Sequence, residues 1–310
     1  MLSKCWVIYL SKSLSKLSLK QLNLFQFLYK MKNSIIICLL LLSCEALAQE
    51  INVVTYNIRF NNPGDGMNAW PNRKEKVTKL LLAQDFDFIG IQEALYDQIL
   101  DLDLALQNYK RVGGGRDDGQ NKGEFTAIYY NKTRWTLKSD YINWLSDNFK
   151  TPGSIGWDAA LPRIFVGGFF ESALNKKAIV VTCTHFDHVG VQARENSAKV
   201  IMAYLNGINA NGDFPHVLIG DFNAATGDKP YQIFTNKLGN LDMYFKDCRP
   251  SNNEDGTYCT FEVNKQPCTS IDHIFVSHQW QIIDFEVIHA NDGKYYPSDH
   301  KPVRARVKLP

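Results

Sequence analysis

Six times along this chain a run of apolar residues stops on an acid, an amide or an imidazole. The segments are Thr55-Tyr56-Asn57, Ile91-Gln92-Glu93, Thr184-His185-Phe186-Asp187-His188, Gly220-Asp221-Phe222-Asn223, Ile271-Asp272-His273 and Ser298-Asp299-His300. A lone Asp after a strand is an ordinary turn or helix cap. Six such stops in one chain imply more: buried strands that end near one rim and hold polar side chains rigidly where a substrate can reach them. Such a chain needs a strand-rich centre.

The intervening pattern alternates strands and helices. Ile51–Ile58 is β-rich, Arg73–Gln84 carries Val77, Leu80 and Leu81 at helical spacing, and Phe88–Gln92 is a short apolar strand, which together make a β-α-β unit. Tyr96–Leu106 reads as a second helix. After the Gly-rich stretch Gly113–Gly123, the runs Thr126–Tyr130, Trp135–Ser139 and Ile142–Leu145 suit antiparallel strands, and Ile164–Phe170 with Ala178–Thr184 suits a hairpin. Val191–Asn209 is the longest helical pattern, with Ile201 and Leu205 facing the core. Strands follow at His216–Ile219, Ser270–Val276, Gln281–Ile288 and Val303–Lys308. With 45% hydrophobic and 21% charged residues, disorder and coiled coil are excluded. No linker or repeat divides the chain, so residues 49–310 are expected to form one α/β domain with mixed sheets and helices on their outer faces.

Residues 1–48 read as an N-terminal extension and a secretory signal peptide. From Met31, Lys32 precedes the apolar run Ile35–Leu42 and the small-residue site Ala46-Leu47-Ala48, too short a run to span a membrane. Cleavage after Ala48 fits this pattern best. Cys44 after Leu41-Leu42-Ser43 also resembles a bacterial lipoprotein box, so the expectation is an exported protein, periplasmic or extracellular, with a lipid anchor on Cys44 as the alternative. Residues 1–30 carry no motif and read as an overextended start. The leader also holds six of the lysines, leaving 28 basic against 31 acidic residues from Gln49 onward, a net of about −3. A surface built to grip long nucleic acid is not supported.

Of seven cysteines, Cys183, Cys248, Cys259 and Cys268 follow the leader. Export permits a disulfide among them, and Cys259–Cys268 in the Asp247–Thr269 stretch is the first pairing suggested, although spacing alone leaves the pairing open.

The residue types at the strand ends suit one chemistry. Extended geometry puts Asp221 and Asn223 on one face and Phe222 on the other, and a carboxylate beside an amide can position and activate a water. Glu93 is a hard oxygen ligand suited to Mg²⁺ or Mn²⁺. Asp299-His300 adds a second acid and a group able to carry positive charge. These are the parts for metal-assisted hydrolysis of a phosphate ester.

The set resembles the endonuclease/exonuclease/phosphatase superfamily with the DNase-I-like fold, in the family's order over almost all of residues 51–308. The resemblance implies a four-layer α/β sandwich, two packed mixed or antiparallel sheets flanked by helices. It maps the first-strand Asn to Asn57, the metal-binding Glu to Glu93, the Asp-x-Asn pair to Asp221 and Asn223, and the closing Asp-His to Asp299 and His300, with Asp272 as the acid paired to His300. His185 takes the place of a phosphate-contacting histidine. Gly115–Gly119 and Gly156–Arg163 look like a bacterial, mostly secreted branch, while the Pro-x-Trp-Cys-Asp-Arg element of inositol polyphosphate 5-phosphatases is replaced by Thr269-Ser270-Ile271-Asp272-His273. On this mapping Glu93, Asn57 and Asp299 hold one divalent cation, Asp221 steadied by Asn223 deprotonates the attacking water, His300 paired with Asp272 stabilises charge on phosphorus, and His185 binds phosphate or protonates the leaving oxygen. Whether Asp221 or His300 is the base stays open. Arg163 and Arg116 are candidates to clamp phosphate.

The expected substrate is a small-molecule, sugar, lipid or nucleic-acid phosphoester, cleaved by a monomer that forms no stable nucleic-acid complex. Two rivals are a zinc hydrolase built on His185-Phe186-Asp187-His188, which lacks the first histidine pair that such clusters need, and a binding protein on the same scaffold.

Overall fold

The computed structural model describes residues 27, 29–32, 49–209, 214–235, 243–264 and 267–309. The signal-peptide site and Cys44 lie outside the described residues. In chain order the elements are β1 (Glu50–Asn57), a 3-10 turn (Pro63–Asn68), α1 (Trp70–Ala83), β2 (Phe88–Ala94), α2 (Tyr96–Ala105), β3 (Tyr109–Gly115), β4 (Phe125–Asn131), β5 (Trp135–Trp144), β6 (Ile164–Ser172), β7 (Ala178–His185), α3 (Val191–Asn209), β8 (His216–Asp221), α4 (Lys229–Thr235), β9 (Phe245–Asp247), β10 (Asp272–Ser277), β11 (Gln281–Val287) and β12 (Val303–Lys308).

The strands form two six-stranded sheets, ordered β11-β12-β1-β2-β4-β3 and β5-β6-β7-β8-β10-β9. Two pairs are parallel, β1 with β2 and β7 with β8, and the other pairings are antiparallel. The period of two sorts each strand's apolar residues to opposite faces. Ile51 and Val53 of β1 meet Val181, Cys183, Val217 and Ile219 of the second sheet in the central core. Val54 and Tyr56 point the other way, onto Val77 and Leu81 of α1 and Ile99 and Leu102 of α2. On the far side Val180, Leu218 and Phe275 pack on Ile201 and Leu205 of α3 and Phe234 of α4. The result is four layers, helix, sheet, sheet, helix, as the sequence implied.

Some elements differ from their sequence reading. Trp135–Ser139 and Ile142–Leu145 are one strand, β5, with a register shift between Leu137 and Ser139 that interrupts the alternation. Strand β3 is new: it ends in Gly113-Gly114-Gly115, with no apolar alternation to announce it. A Cβ on Gly115 would stand 2.1 Å from the Lys122 carbonyl oxygen, so the return of the chain against this strand requires glycine there. Helix α4 and the three-residue β9 are too short for periodicity to reveal. The disulfide is Cys259–Cys268, while Cys183 and Cys248 are free and buried.

This topology decides where the polar strand ends go. Asn57 pairs with Gln92 across the parallel β1–β2 pair, and His185 pairs with Asp221 across the parallel β7–β8 pair. Strand β10 runs antiparallel to β8 and begins at Asp272 opposite Asp221, and β12 begins just after His300, at Val303 opposite Thr55. Four strand ends and two strand beginnings therefore share one edge of the sandwich.

Candidate active site

Backbone strain aims the residues at that edge. Glu93 sits at φ 66 in a bulge where the β2–β4 register shifts between Gln92 and Ala94. Arg59 (φ 57) and Asn223 (φ 45) are also left-handed non-glycine residues. Such conformations cost of order 1–3 kcal/mol each and persist where surrounding contacts fix them. Here the contacts are visible. Glu93 accepts hydrogen bonds from Asn57 Nδ2 at 2.8 Å and Phe60 N at 3.2 Å. The buried guanidinium of Arg73 donates to the carbonyls of Ile58, Arg59 and Pro297, tying the loop after β1 to the loop before Asp299. Ser298 Oγ donates to the Asn57 carbonyl at 2.8 Å and completes that seam.

At the centre, His300 Nδ1 lies 2.8 Å from Asp272 Oδ2, while its Nε2 lies 3.7 Å from Asp221 Oδ2. Asp221 accepts from Asn57 Nδ2 at 3.0 Å and from the backbone amide of Asn223 at 2.9 Å. Burial works against a charged His300, but the carboxylates of Asp272 and Asp221 outweigh it and hold its pKa well above the ordinary value. Burial, then the charge of Asp272, pushes Asp221 up to about 7. Two buried acids thus share one imidazolium.

On the other side Arg163, which can only donate, stands 2.9 Å from His185 Nδ1. That nitrogen must carry the lone pair, leaving the proton on Nε2, 3.5 Å from Asp221 Oδ2. Burial and the charges of Arg163 and Arg116 depress the His185 pKa well below its usual value, so the ring is neutral. A neutral Nε2–H can donate a hydrogen bond to a phosphoryl oxygen, which suits the phosphate-binding half of the expected role.

Glu93, Arg163, His185, Asp221, Asn223, Asp299 and His300 line a cleft of about 460 Å³. Asn57 and Asp272 stand behind these residues and act through them. Three of the expected residues are held by contacts of their own. Arg116 lies off the cleft, its Nη1 2.6 Å from Glu124 Oε2, because a buried arginine pairs with the nearest acid. Arg163 is buried, with Nε 3.4 Å from Asp187, Nη1 on His185 and Nη2 3.1 Å from His188, so in this arrangement it orients imidazoles at the cleft wall. Asn57 turns its amide NH₂ to Glu93 and Asp221 and its oxygen to the Arg59 amide at 3.0 Å, so that it orders the two acids. Asn223 steadies Asp221 through its backbone; its side chain donates to the Phe186 carbonyl. The cleft also contains Leu161, His188 and Ile271, together with Arg59, Phe60, Glu124 and Tyr258, which strand-end reading passed over. Arg59 stands two residues after Asn57, the one signal that could have found it.

Among the described residues the tightest set of potential ligands is Asp221, Asp272 and His300, whose donor atoms lie within 4.8 Å of one another. The charge of His300 already offsets part of its negative charge. Glu93 and Asp299 are hard oxygen donors on the same cleft: burial, resisted by His300, and then the charge of Glu93 raise the Asp299 pKa, a crowding of acids that Arg59 only partly offsets and that a divalent cation would relieve.

The raised Asp221 pKa predicts a stability slope. The folded chain keeps a proton there that the unfolded chain releases near pH 4, so this contribution is full below about pH 4 and lost as pH rises to about 7. In chelator, the melting temperature of the wild type should fall between pH 5 and 7 relative to Asp221→Asn. Parallel curves for the two proteins would refute the assignment.

A model of the endonuclease/exonuclease/phosphatase family matches residues 54–300. No curated protein matches the sequence. Among solved structures, a family protein from Bacteroides thetaiotaomicron superposes with a TM-score of 0.79 at 30% identity, over 85% of this chain and 96% of that one. A family protein from Bacteroides vulgatus gives 0.77 at 32% identity, over 84% and 100%. A mannosyl-6-phosphatase from Bacteroides thetaiotaomicron gives 0.77 at 30% identity, over 83% and 99%. The four layers, the strand-end acids and imidazoles, and a family match spanning both sheets lead to one conclusion: the chain belongs to the endonuclease/exonuclease/phosphatase family.

Proposed function

We propose that this protein is an exported phosphoesterase that depends on a divalent cation, Mg²⁺ or Mn²⁺, and hydrolyses its substrate with an activated water. The observation that carries this reading is the convergence on one cleft of two crowded acids, Glu93 and Asp299, with the hydrogen-bonded set Asp221, His300, Asp272 and His185. Glu93 and Asp299 would hold the cation, which when bound supplies Lewis acidity at a phosphoryl oxygen. Asp221, held by Asn57 and the Asn223 amide, receives the proton of the attacking water. His300, kept charged by Asp272, stabilises the negative charge that builds on the phosphoryl group. His185 donates its Nε2–H to the same group and is kept in that tautomer by Arg163.

The family and the mannosyl-6-phosphatase relative support phosphoester hydrolysis and place sugar phosphates among the first substrates to try. The leader, together with the Cys259–Cys268 disulfide, supports export.

The test is hydrolysis of p-nitrophenyl phosphate and bis(p-nitrophenyl) phosphate with Mg²⁺, Mn²⁺ or chelator, beside Asp221→Ala. Turnover with either cation, lost in chelator and in the variant, is the expected result, and the preferred ester tells monoester from diester. Turnover that survives thorough chelation would overturn the metal assignment.

A further inference from the structure

A phosphoryl group needs cations, donors and a base, yet part of this cleft's lining is apolar. Phe60, Leu161, Tyr258 and Ile271 line it together with the charged set. Tyr258 stands out because the residue is 40% exposed although its backbone is fixed from both sides. Its amide and carbonyl pair with Thr269, each at 2.9 Å. The neighbouring Cys259 amide donates to the Asp299 carbonyl at 3.0 Å, and the Lys301 amide donates to the Thr257 carbonyl at 2.7 Å. Thr257 Oγ1 accepts from the amides of Ile271 and Asp272 at 3.1 and 3.2 Å. The segment 257–259 is thus threaded between the two stretches that carry Asp272 and Asp299-His300, and the Cys259–Cys268 disulfide closes the loop behind it. The Tyr258 ring lies 4.9 Å from that of His300, tilted by 47°.

A side chain that met only water here would gain nothing from a rigid aromatic ring. A rigid ring at the cleft wall instead offers apolar area whose ordering cost is already met by folding. Resting on the hydrolase reading above, we infer that Tyr258 is a specificity-determining residue: it packs against the carbon skeleton of the leaving group and selects phosphoesters that present an apolar ring face, the C–H face of a pyranose or an aromatic ring, over small acyclic ones. Such discrimination belongs to the leaving group and should appear in KM, because the phosphoryl group is held elsewhere.

Three esters separate the possibilities: a hexopyranose 6-phosphate, phenyl phosphate and ethyl phosphate, assayed with Mg²⁺ for the wild type, Tyr258→Ala and Tyr258→Phe. Tyr258→Ala should raise KM about tenfold for the ring-bearing esters, the equivalent of about 1.4 kcal/mol, and leave KM for ethyl phosphate within about twofold. Tyr258→Phe, which keeps the ring, should restore the wild-type preference. A Cys259→Ser/Cys268→Ser double variant should lose part of the same preference, since the wall is then tethered only by hydrogen bonds. A response to one ring type alone would support the inference and narrow the class to that ring. Equal loss of kcat on all three esters would make Tyr258 a prop for His300 and overturn the inference, as would an unchanged preference. If only diesters turn over, the same comparison is read on the corresponding methyl diesters; a folded wild type that cleaves neither set would instead overturn the hydrolase reading on which this rests.

Discussion

Asp221→Asn is expected to lower kcat on p-nitrophenyl phosphate by about 10²–10⁴-fold, the usual contribution of a general base, with little change in KM. The substitution is nearly isosteric. An amide oxygen in place of Oδ1 and Oδ2 can still accept from the Asn223 amide or from Asn57 Nδ2, so the strand end keeps its place. What the amide cannot do is take a proton. Removing the carboxylate also relieves its repulsion with Asp272 beneath His300, so the melting temperature should hold or rise at neutral pH. The two readouts separate chemistry from folding: a large loss of kcat with an intact melt supports Asp221 as the base. Turnover within about threefold of wild type would remove Asp221 from that role.

Gly220→Ala should be strongly damaging to both the fold and the site. Gly220 holds φ 154 between β7 and β10, and a Cβ there would stand 2.1 Å from the Thr184 carbonyl oxygen. Backbone atoms on a central strand cannot give way as a flexible side chain can. The combined strain and overpacking should cost about 3 kcal/mol or more. In a domain of this size that lowers the melting temperature by about 6 °C or more. Because His185 and Asp221 flank the displaced contact, kcat should fall as well. Gly207→Ala is the control: it lies on α3 with no neighbour near a new Cβ, and a methyl there should stabilise the helix by about 0.5–1 kcal/mol. A Gly220→Ala protein that melts like the wild type would refute the close-packing argument.

These predictions draw on both what the sequence makes legible and what it hides. Strand ends are legible because a buried strand announces itself by apolar residues and its end by the first polar one. Glu93, His185, Asp221, Asp272 and Asp299-His300 all come from that single signal, and the structure brings them to one edge. Side-chain pairing is hidden, since it depends on which segments the topology brings together. Nothing in a run of letters tells that Arg116 is taken by Glu124, that Arg163 is spent on two imidazoles, or that Asn57 faces its acids amine first. Loop residues are hidden for a second reason. Tyr258 and Glu124 follow irregular or Gly-rich stretches with no period, so no pattern marks them for the cleft. The Cys259–Cys268 link was the easier inference, because nine residues of separation make a short loop to close.

The pairing of β1 with β12 bears on when the protein becomes active. Val53 lies opposite Ala305, partners about 250 residues apart along the chain, a loop closure that local contacts cannot anticipate. Until β12 arrives, β1 has an open edge, and the seam from Ser298 to Asn57 cannot form. Neither Asp299 nor His300 can take its place before then. A nascent chain that has completed the first five strands, and even the whole second sheet, therefore has no working centre. Competence appears in one step, when the distant strand docks, and an interrupted synthesis leaves an inert fragment instead of an unguarded hydrolase.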